Sequence, residues 1–186
     1  SLTKKKNPYN PKKGFGVTDI PIQDEDADKV ILFTDGSALN NPGNGGYGCV
    51  LFYKGKIKGI SEGFRLTTNN RMELLAVIKG LSLLKFRCSV LVFSDSQYVI
   101  RSIQEGWAYN WKKNGWLKKD KTKAENSDLW EQLLALLECH DVEFRWVKGH
   151  AGNPGNERCD FLAVSSAKSN DLKTDTFYEK VKHVQS

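Results

Sequence analysis

Two short runs of apolar, β-branched and aromatic residues, residues 30–34 (VILFT) and 89–94 (SVLVFS), each stop at an aspartate, Asp35 and Asp95. Runs without polar alternation are typical of strands buried on both faces, as in parallel sheets covered by helices. If these two strands are parallel, both carboxylates emerge at the same sheet edge. The intervening chain fits that arrangement. Residues 46–53 and 56–64 read as a hairpin turning at Lys54-Gly55, and residues 70–86 carry Met72, Leu75, Ala76, Ile78, Leu81 and Leu84 near helical spacing. A helix is the usual crossover between parallel strands. The chain leaves the first strand toward the hairpin on one side and reaches the later strand on the other. The two acids therefore flank a topological switch point, the place where open α/β sheets bind ligands. The expected fold class is α/β.

Two further acids stand in strongly patterned segments: Glu73 in TTNNRMEL, within the first turn of the crossover helix, and Asp160 in KGHAGNPGNERCD. Taken singly, each acid has an ordinary explanation, since Asp-Gly after a strand makes a turn and Glu at a helix start complements the helix dipole. Taken together they are more specific. Carboxylates a few ångströms apart suppress one another's ionisation unless a cation is present. An all-oxygen donor set suits Mg²⁺ or Mn²⁺, whereas Zn²⁺ sites draw on His and Cys. The constellation points to a metal-dependent enzyme.

The formal net charge of +6 is unevenly placed. Residues 1–28 hold five lysines against five acids and contribute nothing net. Residues 107–123 hold six lysines against Asp120 alone, interleaved with Trp107, Tyr109, Trp111 and Trp116. Lysines mixed with aromatic rings suit a surface that grips a phosphate backbone and packs against sugars or bases.

The segments TDGSALNNPGNGGYG, TTNNRMELLA, SDSQYV, WAYNWKKNGW, NSDLW and WVKGHAGNPGNERCDFLA, in this order across residues 29–167, resemble the type 1 ribonuclease H family of the bacterial kind. The resemblance implies a five-stranded mixed sheet with helices on both faces. It implies hydrolysis of the RNA strand of an RNA–DNA hybrid by two-metal in-line displacement, leaving a 5′ phosphate and a 3′ hydroxyl. Asp35, Glu73, Asp95 and Asp160 fall on that family's metal-binding carboxylates, for two Mg²⁺ or Mn²⁺ ions with substrate bound. Asp35 is the candidate for the ligand shared between the ions. His150, between Gly149 and Ala151-Gly152, falls on its catalytic histidine. An imidazole there suits proton transfer or product release. Asn41, Asn69, Asn70 and Gln97 match residues that read the minor groove, where the 2′-hydroxyl marks RNA. Thr68 and Asn126 match a pocket for a DNA phosphate. That pocket usually includes an arginine where this chain has Leu66, with Arg65 adjacent. Residues 107–123 match the basic protrusion that holds DNA, with Trp107, Trp111, Lys112 and Lys113 as contacts. Trp111 is expected to face the substrate, and Trp116 and Trp130 to be structural.

The expected organisation is a charged, flexible tail over residues 1–28, a catalytic domain over 29–168 and an extension over 169–186 that forms a helix or packs on the sheet. Lys4 to Lys13 in the tail could add nonspecific nucleic-acid affinity. The cysteines at 49, 88, 139 and 159 include no C-x-x-C pair, which favours reduced thiols. The chain shows no secretory signal or long apolar segment, so a cytoplasmic monomer with no membrane partner is expected.

Overall fold

The computed structural model describes residues 10, 12, 14–16, 23–149 and 152–185. After a 3₁₀ turn at Asp24–Asp26 come strands β1 (Val30–Ala38), β2 (Gly43–Tyr53) and β3 (Lys56–Thr67), then helix α1 (Asn69–Leu81) and strand β4 (Ser89–Ser94). Helices α2 (Gln97–Gln104), α3 (Trp107–Lys113) and α4 (Ser127–Cys139) follow, then β5 (Asp141–Trp146) and α5 (Pro154–Ala167). A short strand β6 (Leu172–Lys173) and helix α6 (Thr176–Gln185) complete the described chain.

The sheet runs β5-β4-β1-β2-β3-β6. Strands β1, β4 and β5 are mutually parallel, whereas β2 is antiparallel to both β1 and β3. This is the mixed α/β sheet expected, with six strands rather than five. The added strand is two residues long and pairs with Gly63 and Phe64 at the far edge of β3. So short a strand has no alternation pattern that could announce it. Its segment both packs on the sheet and leads into a terminal helix.

Successive side chains of a strand point to opposite faces, and β1 shows it. Leu32 joins Met72, Leu74 and Leu81 of α1 and Trp130 and Leu133 of α4 in one core. Ile31 and Phe33 join Val50, Phe52, Leu91 and Cys159 of α5 in the other. Phe15 reaches this second core from the N-terminal segment, its ring centroid 6.4 Å from that of Phe33, and Phe33 stacks on Phe93 at 5.2 Å. Nearby, Asp26 is buried and paired with Lys29 and Arg145.

Two boundaries differ from the sequence expectation. Strand β1 continues past Asp35 because β2 keeps pairing with it, from Asp35↔Gly48 to Ala38↔Gly45, after its parallel pairing with β4 has ended at Phe33↔Phe93. Asp35 thus sits within a strand that has lost one neighbour. Helix α1 ends at Leu81 rather than Phe86, although Leu84 keeps the apolar spacing. Its exit tightens into 3₁₀-type bonds, Leu83 N–H to Gly80 O and Leu84 N–H to Leu81 O, which close the helix early.

Arg71 fastens the helical layer. Its buried guanidinium donates to both carboxylate oxygens of Asp128 in α4, at 2.8 and 2.7 Å, and to both of Asp175 before α6, at 2.7 and 2.9 Å. Thr67 Oγ1 donates to Asp175 as well, at 2.8 Å. Breaking a buried pair leaves an uncompensated charge. Arg71→Met is therefore expected to lower unfolding free energy by about 3–5 kcal/mol, read from urea unfolding, and a loss under about 1 kcal/mol would show that the network contributes little.

Candidate active site

Asp35, Glu73 and Asp95 come from β1, α1 and the loop after β4, and one ligand atom from each lies within 4.8 Å of the others. Backbone contact, more than side-chain choice, sets this closeness. A Cβ on Gly36 would lie 2.3 Å from the backbone nitrogen of Glu73, so only glycine lets the start of α1 press onto β1 beside Asp35. Thr68 caps α1 by accepting the Arg71 N–H at 3.2 Å, which starts the helix at the right residue. Ser96 does the same for α2, accepting the Val99 N–H at 3.2 Å and ending the loop that carries Asp95.

Asp160 arrives on α5 and lines one cleft with Asp35 and Asp95, the two acids that also cluster with Glu73. Helix α5 begins at Pro154 with Asn153 as its cap and lies directly on the sheet. A Cβ at Gly48 would stand 2.4 Å from the carbonyl oxygen of Cys159, the residue before Asp160. Asn156, also on α5, donates from Nδ2 to the carbonyls of Thr34 and Phe93, both at 3.3 Å. Thr34 Oγ1 reaches the same Phe93 carbonyl at 3.0 Å. Together they close the fork where β1 and β4 part, immediately beneath the two aspartates. Sequence reasoning assigned nothing to Asn156, Gly36 or Arg71. The NPGN helix-start pattern was the only available signal for Asn156.

Crowding makes these groups reluctant acids. Burial, then the charges of Asp95 and Asp160, push the Asp35 carboxyl up to about 8, against one bond from the Gly36 N–H at 2.9 Å that favours ionisation. Burial, then Asp35 and Asp95, hold the Glu73 carboxyl well above its ordinary value. Glu73 is half-buried as a residue, yet its Oε2 is sealed from solvent and accepts from no described residue. A sealed, unpartnered carboxylate oxygen beside two more acids fits a divalent cation, and the donors are the hard oxygens that Mg²⁺ and Mn²⁺ prefer.

The remaining expected contacts spread along one side. Asn41 Oδ1 accepts the Asn69 N–H at 3.2 Å, and Asn69 Oδ1 accepts the Ala38 N–H at 2.6 Å, tying the β1–β2 turn to the start of α1. Gln97 is exposed at the first position of α2. Asn41, Thr68, Asn70 and Asn126 line a second, open groove. Asn126 also donates to Tyr98 Oη at 3.1 Å and accepts from Arg71 at 3.4 Å. Arg65 does not turn to that groove, because its Nε donates to Glu179 of α6 at 3.0 Å. In the basic segment Trp107 is exposed under the Arg101 guanidinium, 5.0 Å from its ring centre. Trp111 is half-buried, its ring 6.2 Å from the fully buried Trp130. Trp116 is half-buried, with its indole N–H donating to Glu131. Lys112 lies 3.7 Å from Glu131 and Lys113 is exposed. His150 lies outside the described residues.

A mixed sheet whose switch point gathers four carboxylates, beside a lysine- and tryptophan-rich flank, defines a nuclease-type hydrolase. The model of the RNase H family matches residues 27–168, and the chain belongs to that family. It is similar to a ribonuclease H of Desulforamulus reducens, 55% identical over 153 residues that cover 82% of this chain and 96% of the relative. Among solved structures it resembles LC9-RNase H1, a type 1 RNase H with the type 2 active-site motif, at a TM-score of 0.66 and 32% identity, covering 76% of this chain and 72% of that one. LC11-RNase H1 shares the fold at a TM-score of 0.56 and 22% identity, over 75% of this chain and 96% of that one.

The raised Asp35 carboxyl has a stability consequence. Between about pH 4 and 8 the folded state binds a proton that the unfolded state has released, so metal-free stability falls as pH rises through that window. Asp35→Asn removes the penalty. In EDTA its melting temperature is expected to exceed that of the wild type by a margin that widens from pH 5 to pH 8, at about 2–4 °C per kcal/mol recovered. A constant or shrinking margin would contradict the crowding argument.

Proposed function

We propose that this ribonuclease H family member hydrolyses the RNA strand of RNA–DNA hybrids by in-line displacement, leaving 5′-phosphate and 3′-hydroxyl ends. The observation that carries the reading is the gathering of Asp35, Glu73 and Asp95 within 4.8 Å, with Asp160 lining a cleft that Asp35 and Asp95 share. LC11-RNase H1, which shares the fold, has been solved in complex with an RNA/DNA hybrid. That supports the hybrid as the substrate class.

Asp35, Glu73, Asp95 and Asp160 would hold two Mg²⁺ ions, or Mn²⁺, with Asp35 shared between them. When bound, such ions supply the Lewis acidity that activates the attacking water and stabilises the leaving 3′ oxygen. The chain's own residues do the positioning. Gly36 and Gly48 seat the two helices that bring Glu73 and Asp160 to the cleft. Burial keeps the carboxylates poorly solvated, so that they favour cation over proton as pH rises. In this reading His150 takes or delivers a proton, or assists product release. Asn41, Asn69, Asn70 and Gln97 face the minor groove, and Thr68 and Asn126 meet a DNA phosphate. Trp107, Trp111, Lys112 and Lys113 hold the DNA strand.

The same reading takes a monomer acting in the cytoplasm, with residues 29–168 as the catalytic domain between a charged tail and a C-terminal extension. No described helix is long and apolar enough to cross a membrane.

Incubation with a uniform RNA–DNA hybrid, the matching duplex RNA and duplex DNA, each with Mg²⁺ or EDTA, tests the proposal. Cleavage confined to the hybrid, dependent on Mg²⁺ and reduced by about 10²–10³-fold or more in Asp35→Asn, is the expected result. Tight hybrid binding without cleavage would replace it with a noncatalytic binding role, and cleavage of duplex DNA with a DNA nuclease.

A further inference from the structure

Phe177, Lys180, Val181 and Val184 recur at helical spacing and so lie along one side of α6. All four border the open groove that contains Thr68, Asn70 and Asn126. Trp116 and Leu117 of the basic segment border it as well. The apolar members of the α6 stripe are not spent on the core. Phe177, Val181 and Val184 are exposed, Val184 at 87%. An apolar stripe that folding leaves in water, on a helix edging a polar groove, calls for an occupant.

The helix is held in place. Arg65 of β3 pairs with Glu179, and the Arg71 guanidinium lies 5.4 Å from the ring centre of Phe177 and 6.0 Å from that of Tyr178. Glu179 N–H bonds to Asp175 O at 3.0 Å, continuing the helix from the segment that Arg71 clamps.

Two lysines bear on what the occupant is. The lining carries Arg71, Lys123 and Lys180 against Glu125 alone. Asp128 and Asp175 carry one charge more than Arg71 offsets, so Lys123 and Lys180 are the cations of the groove left to meet a ligand's charge. Neither is ion-paired with a described residue. Cations above Thr and Asn side chains, between apolar walls, suit a nucleic-acid strand whose phosphates meet the polar groups and whose sugars meet the walls. The groove comes close to the carboxylate cluster at the first turn of α1, where Asn70 of the groove lining and Glu73 of the cluster are three residues apart and so neighbours on one side of the helix. With one backbone of a hybrid at the carboxylates, the neighbouring groove would be placed for the other.

We propose that α6 is the outer wall of the groove for the uncleaved strand, and that Lys180 contacts a phosphate of that strand. The inference rests on the hybrid as substrate but not on turnover, so binding is the measurement. Wild type, Lys180→Glu and Lys182→Glu are titrated with a fluorescent hybrid in Ca²⁺ from 50 to 200 mM salt, alongside a cleavage assay in Mg²⁺. Lys182 is a charge-matched control on the same helix outside the groove lining.

Lys180→Glu is expected to weaken binding about tenfold and to reduce the slope of log K against log[salt] by about one, with Lys182→Glu close to wild type. Neutralising phosphates of the DNA strand as methylphosphonates should erase the difference between wild type and Lys180→Glu, whereas neutralising the RNA strand should preserve it. Equal effects of the two variants, an unchanged salt slope, or erasure by the RNA-strand substitution would each overturn the proposal. Tighter binding by Lys180→Glu would show that α6 obstructs the groove, and would overturn it too. If the wild type binds the hybrid without cutting it, the catalytic reading fails while the α6 comparison still gives its answer.

Discussion

Everything at the cleft depends on helix backbones being able to touch sheet backbone. Gly36 lets the first turn of α1 rest on β1, and Gly48 lets α5 rest on β2, in each case where a methyl group would overlap main-chain atoms. The carboxylates of Glu73 and Asp160 therefore approach Asp35 because the backbones that carry them are pressed onto the sheet beside it. Asn156 then joins the two parallel strands through the carbonyls of Thr34 and Phe93, so the fork that separates Asp35 from Asp95 cannot widen independently of α5.

This arrangement concentrates repulsion, and the rest of the molecule offsets it. The two cores on either face of β1 bury large side chains completely, among them Leu32, Phe33, Met72 and Trp130. Arg71 supplies a buried cation three-way bonded at the opposite side of α1 from the acids. The same helix therefore carries a crowded, partly unpartnered carboxylate on one side and a fully satisfied guanidinium on the other. A fold that stores unfavourable charge at its working edge needs surplus elsewhere, and α1 is where the two meet.

Much of the sheet was legible in the chain, because β1 and β4 are uninterrupted apolar runs and the hairpin turn at Lys54-Gly55 adopts positive φ at both residues. The four acids stood out because each belongs to a patterned segment, Asp35 and Asp95 at the ends of apolar runs and Glu73 and Asp160 within motifs. What stayed hidden has no period-two or period-3.6 signature. Strand β6 is too short to alternate, and the end of α1 was set by local 3₁₀ bonds rather than by apolar spacing. The roles of Gly36 and Asn156 exist only once α1 and α5 are laid on the sheet. The pairing of Arg65 with Glu179 and of Arg71 with Asp175 joins residues more than a hundred positions apart, which no local pattern encodes.

Those long separations bear on how the chain is made. Arg71 leaves the ribosome 57 residues ahead of Asp128 and 104 ahead of Asp175. Until the later aspartate emerges, α1 can seat itself only with part of its guanidinium unanswered in a closing interior, which is costly. Asp128 can answer part of that charge early, but the full set of bonds that holds α1 is complete only when the chain extends through Asp175, beyond every acid of the cleft.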